Sequence, residues 1–280
     1  MRIGIVGVES SHTAEVLRLV EQERRVPGAR VVAVAPVDVD AGPEIDPALL
    51  VGSPAELVGA VDAVLVLTRD GAGHRRLAEP FLAAGLPVWV DKPLTTRVDD
   101  ARALLAAARD GGGAVWSRSA LRYADGVRRA AGLAAAGELA HLHLTGPADP
   151  AGPYSGIAFY GIHLLEAAVE VLGAAGWVEA PMAVTATDRA VVATTRLAGT
   201  PVTCTFVPRS DAGAVPFHLS AVTGRGVVSQ VLDLGRDYLL PVLTGFRAAC
   251  GGQGADREDD DLLAPVRLVQ ELRVVLRAAG

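Results

Sequence analysis

Cysteine is nearly absent from this chain: two, Cys204 and Cys250, in 280 residues. Two cysteines cannot build a disulfide framework, and these two lack metal-ligand spacing, which points to a reducing cytoplasm. Aromatic residues make up only 4% of the chain while apolar residues make up 50%, so alanine, valine and leucine must fill most of the interior. No stretch of about 18 apolar residues runs without a charge, which argues against a membrane span. Basic excess is missing too. Lysine and arginine number 26 against 32 acidic residues, for a net charge of -6, and a nucleic-acid partner would call for a basic patch. The first residues enter a strand pattern at once, with no small-residue cleavage site, so no signal peptide is expected. Internal repeats are lacking.

What is present is an alternation. Apolar, β-branched runs at residues 3–8, 29–34, 63–67, 87–90 and 114–117 suit buried parallel strands. Helical patterns fill the intervals at residues 13–23, 75–84 and 99–109, and Ser53-Pro54-Ala55-Glu56 reads as a capped helix start. Strands alternating with helices imply βαβ crossovers and a parallel sheet. After roughly residue 120 the rhythm changes. Residues 141–144, 183–186, 190–197, 202–207, 218–222 and 226–232 read as strands that mostly follow one another directly, so a mostly antiparallel sheet is expected. Helices are expected at residues 161–172 and 262–277, the last preceded by a solvated loop with the acidic run 256–261. The expected fold is therefore α/β: a Rossmann doubly wound parallel sheet over residues 1–119, then an α+β domain over residues 120–280. Ligands of such sheets bind at the carboxyl ends of the strands, here in an expected cleft between the halves.

Four segments, in order, resemble the Gfo/Idh/MocA family of oxidoreductases. They are Gly4-Ile5-Val6-Gly7-Val8-Glu9-Ser10-Ser11-His12, then Val61-Asp62-Ala63-Val64-Leu65-Val66-Leu67 with His74 on the next helix. The third is Val88-Trp89-Val90-Asp91-Lys92-Pro93-Leu94, similar to the family's Glu-Lys-Pro strand end. The fourth is Tyr160-Gly161-Ile162-His163-Leu164-Leu165-Glu166, similar to its Gly-x-His helix. Ser117-Arg118-Ser119-Ala120-Leu121-Arg122-Tyr123 resembles its interdomain junction. The resemblance implies an NAD(P)-dependent oxidoreductase acting on a hydroxyl or carbonyl of a sugar, cyclitol or related small metabolite. It also implies a homodimer through an open sheet face. The choice between NAD and NADP stays open.

Two departures stand out. Where the family's Gly-x-Gly-x-x-Gly turn has its second and third glycines, this chain has Glu9 and His12, and a carboxylate near a diphosphate is repelled by about 1 to 4 kcal/mol at 4 Å. Four residues before His163, where many family members carry an Asp, stands Phe159. These departures motivate the rival expectation of a non-redox relative that keeps a dinucleotide or other ligand site.

The resemblance makes Lys92 and His163 the catalytic candidates. Lys92 would stabilise a developing alkoxide, and His163 would take the hydroxyl proton; the ordinary readings are a strand-end lysine and a core histidine. Gly7, Glu9, Ser10, Ser11, His12, Asp38, Thr68, Arg69, Asp91 and Lys92 are the cofactor-contact candidates. Ser10, Ser11 and His12 would otherwise be a plain helix cap, and Arg69 with Asp70 a solvated loop. Arg122, Tyr123, Tyr160, His163 and Glu166 are the substrate-contact candidates, with domain-junction packing as the alternative for Arg122 and Tyr123. Glu166 is a candidate orienter of His163. His141 and His143 share one strand face, but with no third ligand nearby they read as ordinary strand residues, and no metal is expected.

Overall fold

The computed structural model describes residues 1–37, 45–174, 181–251 and 259–279. Its chain divides into two compact units.

The first unit is built on five parallel strands: β1 (Arg2–Val6), β2 (Arg30–Ala35), β3 (Ala63–Val66), β4 (Val88–Val90) and β5 (Val115–Trp116), in the order β2-β1-β3-β4-β5. Both faces of a parallel sheet are covered, so its strands are apolar throughout; β3 and β4 are buried at every residue. α1 (Ser11–Leu17) follows β1, α2 (His74–Ala83) follows β3, and α3 (Val98–Gly111) follows β4. At the outer edge of β2 a single parallel bridge joins Val34 to Leu50. Counting it as a strand, the order becomes the 3-2-1-4-5-6 of dinucleotide-binding sheets, with the third strand reduced to one residue.

Several local expectations change. The helix expected from Ser53 is one 3-10 turn, Pro54–Leu57. Ser53 Oγ bonds the Glu56 carboxylate at 3.1 Å rather than a backbone N–H, and Gly59 turns the chain at φ +80°. The helix expected over residues 13–23 begins as α1 and widens into a π turn at Arg18–Gln22. Three of the last acidic residues, Asp259, Asp260 and Asp261, lie not in a loop but in a helix's first turn, where carboxylates favour the positive dipole end.

A larger difference concerns the cut at residues 119 and 120. The second unit takes over at Ser119, but the segment beginning at Arg236 returns to the first unit, so residues 120–280 are not one unit. The cause is α6 (Leu240–Cys250), whose Val242, Leu243 and Phe246 are buried, with the Phe246 ring centroid 6.3 Å from that of Trp89 on β4. Asp237 fastens the same segment by ion pairs of 2.9 Å to both Arg18 and Arg25.

The second unit carries six strands: β6 (Leu139–Pro147), β7 (Ala183–Ala186), β8 (Val191–Leu197), β9 (Thr200–Val207), β10 (His218–Thr223) and β11 (Gly226–Val231), ordered β11-β10-β6-β9-β8-β7. Every neighbouring pair is antiparallel except β6 with β9. The helices are α4 (Asp125–Ala135), α5 (Ile157–Leu172) and α7 (Asp259–Ala279). Alternation sorts the sheet's faces: Leu142, Leu144, Cys204, Phe206 and Leu219 point into the core under α5, while His141, His143, Thr203 and Thr205 point outward. Burial pushes the Cys204 thiol up to about 12, so it behaves as a small apolar core residue.

Candidate active-site residues

In the first unit the candidates gather at the carboxyl ends of β1, β3 and β4. Gly7 leaves β1 at φ +98°, a left-handed conformation that glycine adopts without strain. The Thr13 hydroxyl closes this turn by donating to the Gly7 carbonyl at 3.1 Å. Ser10 caps α1, its Oγ accepting from the His12 N–H at 3.2 Å. Glu9 turns toward the end of β3, where its carboxylate accepts from the Arg69 N–H at 3.4 Å. Ser11 is exposed at the first position of α1.

His12 reaches β4: its Nδ1 lies 3.0 Å from the Asp91 carboxylate. Burial alone would raise the Asp91 pKa, but the adjacent His12, Lys92 and His74 hold it well below the usual carboxylate range. Lys92 is buried and is the only lysine in the chain; the other 25 of the 26 basic residues are arginines. His74, fully buried, ties the two strand ends together, with Nδ1 2.8 Å from the Pro93 carbonyl and Nε2 2.9 Å from that of Thr68. Tyr238, on the returning segment, places its ring 5.8 Å from His12. Asp38 lies outside the described residues.

Two hydroxyls on this rim are buried without a hydrogen-bond partner: Thr68 Oγ1 past β3 and Ser117 Oγ past β5. A buried hydroxyl left unmade costs about 1–3 kcal/mol, which a polar ligand would recover. Both sit at the strand ends where open α/β sheets take ligands. The turn at Gly7 and this pair of hydroxyls therefore fit the polar groups of a dinucleotide.

In the second unit the candidates lie on and beside α5. His163 and Glu166, one turn apart, are both buried. Glu166 does not orient His163. Its carboxylate accepts from the Arg122 guanidinium at 2.6 Å and from the Ser119 N–H at 2.8 Å. His163 meets Ser119, whose Oγ lies 2.7 Å from Nδ1. The imidazole is flanked by Tyr160 and Phe217, at centroid distances of 5.8 and 5.3 Å. Phe159 packs against Tyr154 and Tyr160.

Arg122 is engaged by three carboxylates, Glu166, Glu170 and Asp261, the latter two at 3.1 Å. Burial opposes its charge, but these neighbours raise its pKa above the ordinary arginine value. Arg122 and Glu166 are thus brought together as a buried ion network, and Tyr123 lies under the Arg128 guanidinium at 5.8 Å. On the outer sheet face His141 and His143 each lie 3.0 Å from a threonine hydroxyl, on Thr203 and Thr205. Among the described residues no cluster of three potential ligands could hold a metal, and no helix is long and apolar enough to cross a membrane.

Sequence reasoning gave no role to Ser119, Ser117, Phe217 or Tyr238. Ser119 carries one local signal, a serine preceding a short turn (Ala120–Tyr123) that it caps. Its pairing across 44 residues with His163 leaves no periodic trace.

Residues 1–119 match the family model described as an oxidoreductase family with an NAD-binding Rossmann fold. An inositol 2-dehydrogenase of Cereibacter sphaeroides is 37% identical over 114 residues, taking in 38% of this chain. The chain spans about a third (32%) of that relative's length. Among solved structures, myo-inositol 2-dehydrogenase from Lactobacillus plantarum superposes with a TM-score of 0.78 at 14% identity, over 100% of this chain and 97% of that one. The scyllo-inositol dehydrogenase from Lactobacillus casei, with bound NAD(H) and scyllo-inositol, gives 0.74 at 13% identity, over 100% and 96%. These likenesses establish a shared fold.

Proposed function

Because residues 1–119 match the model of an oxidoreductase family with an NAD-binding Rossmann fold, we propose that the chain is an NAD- or NADP-dependent dehydrogenase of a cyclitol, sugar or related polyhydroxylated metabolite, of the Gfo/Idh/MocA type. The observation that carries this is the chain's single lysine, buried at the end of β4 beside a charged Asp91. A chain that spends arginine everywhere else keeps the compact, mobile ammonium here, and the two side chains are not interchangeable.

The nicotinamide cofactor would supply the hydride acceptor or donor. Gly7, Ser10, Ser11 and His12 would hold its diphosphate, with Glu9 drawn aside by the Arg69 amide. Thr68 and Ser117 would meet its polar groups with hydroxyls that lack protein partners. Lys92 would donate to the reacting oxygen and stabilise negative charge developing there, while Asp91, fixed by His12, keeps the ammonium's surroundings anionic. Tyr160 and His163 would contact substrate. The inositol dehydrogenases among the relatives support a cyclitol as substrate class. Cys204 and Cys250 are free thiols, in keeping with a cytoplasmic setting. The outer face of the six-stranded sheet, with exposed Val227 and Val231, is the face we assign to a homodimer.

The test is a panel of cyclitols and sugars, with NAD and NADP each as oxidant. Reduction of one cofactor by at least one polyol, lost in Lys92→Ala, is the expected result. Tight cofactor binding with no turnover across the panel, in either direction, would favour a non-redox relative.

A further inference from the structure

We infer that Arg209 seats an anionic group of the substrate, a carboxylate or a phosphate, beside His163 in the second unit. The substrate class narrows accordingly, from polyhydroxylated metabolites at large to those that carry an acid group. That this anion belongs to a substrate rests on the dehydrogenase reading above, whereas anion binding at Arg209 does not.

Arg209 follows β9 and is exposed. Its guanidinium lies over the Tyr160 ring, 5.0 Å from the centroid, and its Nη2 donates to the hydroxyl of the same tyrosine at 3.2 Å. A surface arginine otherwise samples many rotamers; two contacts to one tyrosine hold this one over α5. Tyr160 in turn sets its ring 5.8 Å from that of His163. The far end of the same connection returns to the same histidine. Phe217, the residue before β10, meets His163 edge-on at 5.3 Å. Its ring lies so close to Gly146 that a side chain there would collide with it. Between these ends Ser210 and Gly213 exchange both backbone hydrogen bonds at 2.9 Å. This closes a tight turn in which Gly213 takes φ +115°, a conformation suited to glycine. The segment joining β9 to β10 thus touches the α5 site at both of its ends.

What Arg209 lacks is a carboxylate. Among the described residues its one hydrogen bond goes to Tyr160 and it forms no ion pair, although Asp211 stands two positions on. Other arginines are engaged: Arg2 by Asp62, Arg75 by Glu79 and Asp100, Arg122 by Glu166. A guanidinium carries five N–H donors in a planar fork, and the tyrosine hydroxyl takes one. A neutral hydroxyl accepts one ordinary bond from such a fork, whereas a carboxylate or phosphate accepts two parallel, charge-assisted ones. A fixed fork without a carboxylate, next to the candidate substrate histidine, therefore suits an acid group better than a further hydroxyl.

The experiment titrates the uniformly 15N-labelled full chain, without cofactor, near neutral pH. The probes are D-glucuronate, D-glucose 6-phosphate and inorganic phosphate, with D-glucose and myo-inositol as neutral controls at the same millimolar concentrations. The signals followed are the Arg209 Nε–H and the His163 imidazole, assigned by their loss in Arg209→Gln and His163→Gln. The expected result is saturable movement of both signals with at least one acid sugar and none with the neutral controls. Glucuronate against glucose 6-phosphate tells a carboxylate seat from a phosphate seat. In Arg209→Gln the dissociation constant read at His163 should rise roughly five- to tenfold. Arg209→Lys, which keeps the charge without the fork, should fall between. An unchanged urea midpoint in Arg209→Gln shows that the exposed replacement leaves the fold intact. Equal response to neutral and acid sugars, response to inorganic phosphate alone, silence with every probe, or an acid response unchanged in Arg209→Gln overturns the inference. No turnover is read, so a chain that binds acid sugars here yet reduces neither NAD nor NADP sinks the dehydrogenase reading and leaves the anion seat standing.

Discussion

His12 Nδ1 and the Asp91 carboxylate meet at 3.0 Å, joining the turn after β1 to the end of β4. The pair holds a residue of the turn into α1 against the residue that precedes the only lysine. Removing one partner of a buried charged pair costs about 3–5 kcal/mol, less where an amide keeps a hydrogen bond. Asp91→Asn should therefore lower stability by about 2 kcal/mol or more, read by urea unfolding near neutral pH. The sign with pH follows from the depressed Asp91 value. The contribution is complete above the unfolded carboxylate pKa of about 3.9 and is lost as pH falls below it toward the folded value. The gap between the two proteins should narrow in that acid range; a gap that widens there contradicts the pairing.

Thr68→Val and Ser117→Ala should act with opposite signs on the free and liganded protein. Deleting an unpartnered buried hydroxyl leaves the free protein as stable or up to about 1–3 kcal/mol more stable. Cofactor affinity should fall by roughly 5- to 10-fold per hydroxyl lost. Thermal unfolding with and without NADH reads both effects. A loss of stability in the free protein would mean that these hydroxyls serve the fold.

Lys92→Arg keeps the charge but not the compact ammonium. Turnover should drop by about 10²-fold or more, in the range found when a group that stabilises developing negative charge is removed. Cofactor dissociation constants should stay within about tenfold. Steady-state rates beside equilibrium titrations separate the two.

Arg122→Met leaves Glu166 buried without its cation, which should cost about 3–5 kcal/mol. The expected readout is a fall in the urea midpoint. A rise in KM with unchanged stability would instead return Arg122 to the substrate.

His143 titrates below the ordinary histidine value, through burial first and then through His141 and His218. A lowered histidine pKa means that the unfolded chain binds the proton first. The stabilising contribution is thus present above about 6.5 and is lost as pH falls through that value. His143→Gln should flatten stability between about pH 7.5 and 5.5 relative to the unmodified chain.

Much of this fold is visible in the sequence because burial imposes period. The parallel strands announce themselves as apolar runs, and the β6 and β9 faces as alternation, since one side meets α5 and the other does not. α4 escaped although its faces differ, Val127 and Ala130 buried against Arg128 and Arg129 exposed, because its small residues make the inward stripe short; α6 carries less contrast between faces. The return of α6 to the first unit depends on Phe246 meeting Trp89, a contact that no local pattern encodes. Lys92, His12 and Asp91 were legible as a linear motif, but their pairing was not. Glu166 and Arg122 illustrate the opposite failure: charged residues placed by helical spacing near a candidate histidine look available, and only the fold shows them holding one another.

The central claim is best tested by titrating the protein with NADH and NADPH while following tryptophan fluorescence, since Trp89 and Trp116 lie on β4 and β5, whose ends would hold the cofactor. Saturable quenching in the micromolar range by one or both is the predicted result, weakened in Thr68→Val and Ser117→Ala. Absence of binding to either, in reduced and oxidised forms alike, would contradict a working dinucleotide site and with it the dehydrogenase.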